Sequence, residues 1–173
     1  MANISNLPQH PLCKFADKLY ADSNTSDILH TIRQRLELNL NIILFCCWSA
    51  KIGQKRLTKK DMRRTIANTL CWHEQIILPL HNMQQSLPAA SESLPVNKIS
   101  QSLLTIATNA NHIEQIMLTE TNLNMHHARD TSRQFTDAYN NIKVYCKELG
   151  IILTPDDNNI VTRLLAAIFP EVK

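Results

Sequence analysis

The most apolar stretch of the chain is an unbroken run from Ile42 to Trp48 that contains no polar residue. A helix over this run has apolar side chains on every face, and such a helix is normally enclosed by other helices. Asn39 or Asn41 is suited to cap its start. The pattern therefore predicts a buried helix over residues 41–52 at the centre of the fold.

Apolar spacing also predicts helices on both sides of this run, over residues 12–22, 27–37, 58–70 and 71–87. In the second of them Ile28, Ile32 and Leu36 recur every four residues and form one apolar stripe. The polar stretch 23–26 predicts a loop, and Pro79 is expected to kink or interrupt the last of the four helices. We expect these four helices to surround the central one.

Two matching apolar seams lie further along the chain. One runs from Ile99 to Met117 and the other from Phe135 to Leu149, both in alternating steps of three and four residues. Paired seams of this kind are typical of helices that pack lengthwise. They predict an antiparallel helical hairpin over residues 97–149.

The remaining segments complete an all-α prediction. Residues 88–96 are rich in Pro and Ser and predict a connection, and Pro155 predicts the first turn of a last helix over 155–169. No segment alternates with a period of two, so no sheet is expected. We predict one domain, 1–173, that forms a bundle of seven or eight helices: a cluster over 12–87, the central apolar helix within it, and the C-terminal hairpin.

Composition narrows the class of protein further. Only two glycines occur in 173 residues, which argues against sheet-rich folds and against glycine loops that bind phosphate. The five cysteines are odd in number and show no Cys-x-x-Cys spacing, which indicates reduced thiols. No signal peptide is recognised, and no apolar run approaches the roughly 20 residues that a bilayer span needs. These features predict a cytoplasmic protein without a membrane span.

Positive charge is concentrated between Lys51 and Arg64, where seven cations accompany one acid, Asp61. The candidate partner-binding residues are Lys55, Arg56, Lys59, Lys60, Arg63 and Arg64. The last four share one helix face and would attract an acidic protein surface or phosphate, although the same face could serve solubility alone. Because no aromatic residues are interleaved to stack on bases, a protein partner is favoured over nucleic acid.

Five large or polar residues fall near the predicted core: Asn41, Phe45, Trp48, Trp72 and His73. They either fill the core and satisfy helix ends, or line a small-ligand pocket near the two tryptophans. No spacing of histidines, cysteines and carboxylates converges three or four ligands on one ion, so no metal and no cofactor is predicted. No catalytic motif is recognised either, which favours a non-enzymatic protein.

Three motifs occur in the order Phe15-Ala-x-x-Leu-Tyr20, Asn41-Ile-Ile-Leu-Phe-Cys-Cys-Trp48 and Trp72-His-x-x-Ile-Ile-x-Pro-Leu80. In this order they resemble an uncharacterised family of short proteobacterial proteins classed as a domain of unknown function, over residues 12–118 and most closely over 38–81. Two positions depart from that family: residues 37–39 stand where it carries a turn glycine, and His81 stands in place of arginine. The resemblance implies a helical fold and a bacterial cytosolic setting, and it implies no activity.

The function expected from the sequence is that of an adaptor or accessory protein that docks on a larger assembly through the basic helix or the hairpin. One alternative is a nucleic-acid-binding protein that uses the same helix. Another is a small-ligand-binding protein or enzyme with a pocket near the tryptophans. The apolar surface of the 97–149 hairpin could also serve self-association.

Overall fold

The computed structural model describes residues 4–54, 56–87, 94–120 and 130–170. Over these ranges the chain is helical and contains no strand, which confirms the all-α prediction. The α-helices are α1 (Pro11–Ala21), α2 (Ser23–Leu36), α3 (Leu40–Lys51), α4 (Lys59–Trp72), α5 (Leu78–Ser86), α6 (Leu94–Glu120), α7 (Thr131–Glu148) and α8 (Pro155–Ile168). A 3-10 segment, Ile4–Gln9, precedes α1, and a π-helical segment, His73–Ile77, joins α4 to α5.

Helix α3 lies at the core of the fold, as its sequence predicts. Every side chain from Leu40 to Ala50 is buried, and Phe45 is fully enclosed. Helices α7, α6, α1 and α2 pack against it. Burying one large apolar side chain stabilises a fold by about 1.5–3 kcal/mol, so α3 and its neighbours supply much of the driving force for folding.

The set of helices around α3 differs from the predicted one. The helices expected over 58–70 and 71–87 correspond to α4 and α5, which pack mainly on α6 and α7 instead of α3. Helix α4 buries only Met62, Thr65 and Thr69, a narrow face in which two of the three side chains are hydroxyls. Helices α7 and α6 take the places beside α3 instead.

The predicted hairpin over 97–149 is wrong in its packing. Helices α6 and α7 exist, but each packs against α3, and within the described residues they make little contact with each other. An apolar seam shows that a helix has a face to bury but does not identify its partner, and α3 offers both helices more apolar surface. The polar stretch 122–130, expected to turn between the two seams, lies outside the described residues except for Asp130, which caps α7. Most of the predicted connection 88–96 lies outside them as well, and its last three residues begin α6.

Side-chain caps determine where the helices begin. Thr58 caps α4 and Thr154 caps α8, each in a capping box with an aspartate three residues later. Helix α2 begins earlier than predicted, because a carboxylate oxygen of Asp22 accepts a hydrogen bond from the Thr25 N–H at 2.8 Å. Residues 23–26 therefore form its first turn and not a loop.

Helices α4 and α5 form one continuous helical path. Across the π-helical segment the backbone bonds span five residues, and the Leu78 N–H donates to the His73 carbonyl. Pro79 follows at the start of α5 and has no N–H to donate. The wider π turn accommodates that missing bond, so the interruption expected at Pro79 lies one turn earlier.

Helix α2 ends at a residue with a left-handed backbone. Glu37 has φ 51° and ψ 29°, and its N–H donates to the Arg33 carbonyl. This conformation costs a residue other than glycine roughly 1–2 kcal/mol.

Replacing this residue in Glu37→Gly is expected to raise the free energy of unfolding by up to about 1 kcal/mol, because glycine adopts positive φ without a steric cost but loses more entropy on folding. Urea unfolding measures the change. The matched control, Gln34→Gly, lies inside α2 and is expected to lower the free energy of unfolding by about 1 kcal/mol. A loss of stability in both variants would contradict strain at Glu37.

Candidate functional site

A pocket with a volume of about 590 Å³ opens between α2, the start of α3, the π-helical segment, α5 and α6. Polar side chains on its wall include Arg33, Asn39, Asn41, His73, His81 and Asn111. Small-molecule sites in proteins span roughly 300–1,000 Å³, so the volume suits a metabolite-sized ligand. We call this cavity and its lining the polar pocket.

A buried carboxylate stands behind the wall of the polar pocket. Glu114, in the middle of α6, is completely enclosed. Its Oε1 accepts a hydrogen bond from Asn39 Nδ2 at 2.8 Å, and its Oε2 accepts one from Asn41 Nδ2 at 2.5 Å. A buried charge is costly unless it is hydrogen-bonded, and these two amides at the start of α3 supply the donors.

His73 completes this cluster from the first residue of the π-helical segment. Its Nδ1 lies 3.1 Å from Glu114 Oε1. An ionised carboxylate can only accept, so Nδ1 carries the proton in this contact. In the neutral ring Nε2 is then an acceptor with a free lone pair, on a side chain that lines the polar pocket. Glu114 thus fixes both the tautomer and the orientation of His73.

Three further hydrogen bonds hold the start of α3 in place. The Asn39 N–H donates to the Tyr145 hydroxyl oxygen at 3.1 Å, and burial raises the pKa of Tyr145. Asn41 uses its whole amide, because Nδ2 also donates to Asn111 at 2.8 Å and Oδ1 accepts from Gln115 at 2.9 Å. Side chains from three helices therefore fix the polar wall of the pocket.

The α2–α5 side of the polar pocket carries Arg33 and His81. The Arg33 Nη1 atom lies 3.1 Å from His81 Nδ1 and also contacts Nε2. Burial, and secondarily the charge of Arg33, lower the pKa of His81 below its usual value, which favours the neutral ring. A guanidinium has no acceptor, so the imidazole accepts from it.

The structure separates the five pocket or core residues expected from the sequence. Asn41 and His73 line the polar pocket and meet through Glu114. Phe45 and Trp48 lie in the apolar core, and Trp72 donates from Nε1 to the Ala110 carbonyl at 3.0 Å. None of these three aromatic residues lines the polar pocket, and a separate pocket near the tryptophans stays a prediction. Large aromatic side chains serve the core here, while the cavity follows the polar end of α3.

The candidate partner-binding residues are exposed, apart from Lys55, which lies outside the described residues. Two of them pair with acids of α7: Arg56 with Asp137 at 3.3 Å, and Arg63 with Glu148 at 2.5 Å. Lys59, Lys60 and Arg64 form no ion pair with the described part of the chain. Of these cations, Arg56 and Arg63 thus pair with α7. Lys59, Lys60 and Arg64 face solvent.

Other chemistry finds little support in the described residues. All five cysteines are free, and burial raises the pKa of Cys13 and Cys47 to about 12, which leaves both as unreactive thiols at neutral pH. Among residues 4–54, 56–87, 94–120 and 130–170, no three His, Cys, Asp or Glu side chains converge as metal ligands. Within the same ranges no helix has both the length and the apolar character needed to cross a membrane.

Comparison with known proteins matches residues 11–118 to the model of a family described as protein of unknown function, DUF2390. The chain belongs to the DUF2390 family. The matched region includes the pocket residues of α2 to α6, while α7 and α8 lie beyond it. No curated protein and no solved structure matched the chain.

Sequence reasoning missed Glu114, Asn39, Arg33 and Tyr145 as parts of this site. One signal was available for Glu114, because it follows Ala110 by four residues and so falls on the inward face of α6. A charge on such a face requires buried donors. No local pattern, however, connects it to residues 39–41 and 73, which come from other helices.

Replacing the buried carboxylate in Glu114→Ala is expected to lower the free energy of unfolding by about 3 kcal/mol, since two buried amides and a histidine lose their partner. Denaturant unfolding measures the change. The control Glu74→Ala removes an exposed acid that lines the same pocket, and we expect it to change stability by less than about 0.5 kcal/mol. Similar losses in both variants would show that the Glu114 network is not stabilising.

Proposed function

We propose that this protein binds a small polar molecule in the polar pocket. The observation that carries the proposal is the wall formed by Asn39, Asn41 and His73, which the enclosed carboxylate of Glu114 holds in fixed orientations. Polar groups that are fixed before binding lose little entropy when a ligand arrives. A cavity of about 590 Å³ beside such a wall has the size and polarity of a small-molecule site.

The cost of the Glu114 cluster supports a role beyond stability. Asn39 alone caps α3, through its Oδ1 and the Asn41 N–H at 2.9 Å. A carboxylate in the core adds a desolvation penalty that well-packed apolar side chains would avoid. Such a cluster is explained more readily by what it orients than by what it stabilises. His73, which it orients, keeps an Nε2 lone pair that no described residue engages.

The chemistry of the wall describes the ligand it would accept. His73 Nε2 can accept a hydrogen bond from a hydroxyl or amine. The same arrangement could serve a general base. The non-enzymatic role favoured by the sequence stays a prediction. The proposal concerns the binding of a ligand and includes no reaction.

A thermal-shift screen of polar metabolites tests this proposal. A ligand at 100 times its Kd stabilises the fold by about 2.7 kcal/mol, which raises the Tm measurably. We expect His73→Gln to weaken the binding of any hit by about tenfold, equivalent to about 1.4 kcal/mol. Calorimetric titration of wild type and variant measures the two Kd values.

The control for this experiment is Glu74→Ala. It alters the lining of the same pocket but leaves Asn39, Asn41 and His73 in place, so it should preserve the affinity. Hits that bind His73→Gln as tightly as wild type lie elsewhere on the protein. The proposal fails if all hits behave in this way, or if no compound moves the Tm.

A second candidate function is docking on an acidic protein partner through α4, supported by Lys59, Lys60 and Arg64, which are exposed and form no ion pair with the described residues. We expect the triple variant Lys59→Glu, Lys60→Glu, Arg64→Glu to lose partners that the wild type retains in pull-downs. Arg63 is left in place because it holds Glu148. The matched control reverses the exposed cations Lys14, Lys18 and Arg163.

Identical partners for both triple variants would remove α4 as a docking surface. Loss of bound nucleic acid, with a steep dependence on salt, would favour the nucleic-acid alternative. Self-association remains a prediction for the exposed apolar residues of α6, such as Ile99 and Leu104. A cytoplasmic location is proposed as well, and the five free cysteines support a reducing compartment.

A further inference from the structure

Arg33 lies on the wall of the polar pocket without an acidic partner in the described part of the chain. Its side chain is partly buried near the end of α2. Arg35, two residues later in the same helix, pairs with Asp157 at 3.1 Å. Arg35 therefore joins α2 to α8, whereas Arg33 presents its charge to the polar pocket.

The helix dipole accounts for only part of this placement. A cation in the last turn of a helix is stabilised by the helix dipole, and an exposed position would give the same stabilisation. Partial burial beside a cavity adds a desolvation cost, which an anion would offset. The nearest polar partner, His81, supplies only a neutral acceptor.

Histidines share the lining of the polar pocket with Arg33. His81 accepts from its guanidinium, and His30 also lines the pocket from α2. The acids on the same lining are Glu37 and Glu74, both largely exposed. Only one nitrogen of the guanidinium is engaged by His81, so most of its donors remain for a ligand.

Building on the proposed function, we propose that the molecule bound in the polar pocket carries an anionic group, a carboxylate or a phosphate, that is bound by the guanidinium of Arg33 beside His81. Planar guanidinium groups bind both anions through paired, charge-assisted hydrogen bonds. The rest of the ligand would then contact His73 on another part of the lining. A phosphorylated or carboxylated metabolite with a hydroxyl or amine group meets both requirements.

Titration of the ¹⁵N-labelled protein with inorganic phosphate and, separately, with acetate tests this inference by NMR, with chloride exchanged to hold the ionic strength constant. We expect saturable shifts of the Arg33 Nε–Hε and His81 ring signals. Tighter binding of phosphate would indicate a phosphorylated ligand, and tighter binding of acetate a carboxylated one. In Arg33→Gln the apparent affinity should fall at least tenfold, whereas Arg33→Lys should retain part of it.

The control Arg64→Gln removes an exposed cation of α4 and should leave the titration unchanged. The inference is overturned if the shifts never saturate, if they cluster on α4, or if they persist in Arg33→Gln. Mapping the shifts in the wild type decides the matter even if a variant folds poorly. A neutral hit that binds His73→Gln weakly but Arg33→Gln normally would refute the anionic group while leaving the pocket as a binding site.

Discussion

The rest of the structure depends on one constraint, which is that a helix with apolar side chains on every face must be covered on every side. Helix α3 meets this condition from Leu40 to Ala50, and four other helices enclose it. Because much of the driving force lies there, the apolar faces of the surrounding helices pack against it. Helices α7 and α6 lie beside α3, whereas α4 packs on α6 and α7.

Because α3 is buried, the polar groups at its start need hydrogen-bond partners inside the protein, and residues around the pocket supply them. A helix begins with N–H groups that have no partner in the helix, and here that end lies inside the protein. Asn39 and Asn41 supply polar side chains at this end, and they require acceptors of their own. Glu114 meets that requirement for both and recruits His73 from a distant segment. The same residues thus finish the core and form the wall of the cavity.

How much could be predicted from the sequence depends on the range of the interaction. The burial of α3 follows from residues near one another in the chain, and this prediction is confirmed. The caps at Thr58 and Thr154 are local in the same sense, since each pairs with an aspartate three residues later. The hairpin and the cover of α3 depend on which apolar faces compete for one surface, and those predictions are wrong. Asn41 and His73 were recognised as unusual residues near the core, yet their common partner lies more than forty residues from either, so no spacing could reveal it.

The length of the π-helical segment, His73–Ile77, determines how α5 is rotated about its axis relative to α4. It therefore determines where the side chains of α5 lie in the pocket. Residues of α4 and the π turn supply one side, including His73, and α5 supplies His81 on the same continuous helical path. Each residue of an α-helix advances the chain by about 100°, so a single inserted or deleted residue here would rotate α5 by that angle. His81 would then leave Arg33 while every residue type in the pocket stayed the same. The length of this short segment, as much as the identity of its side chains, is therefore part of what builds the cavity.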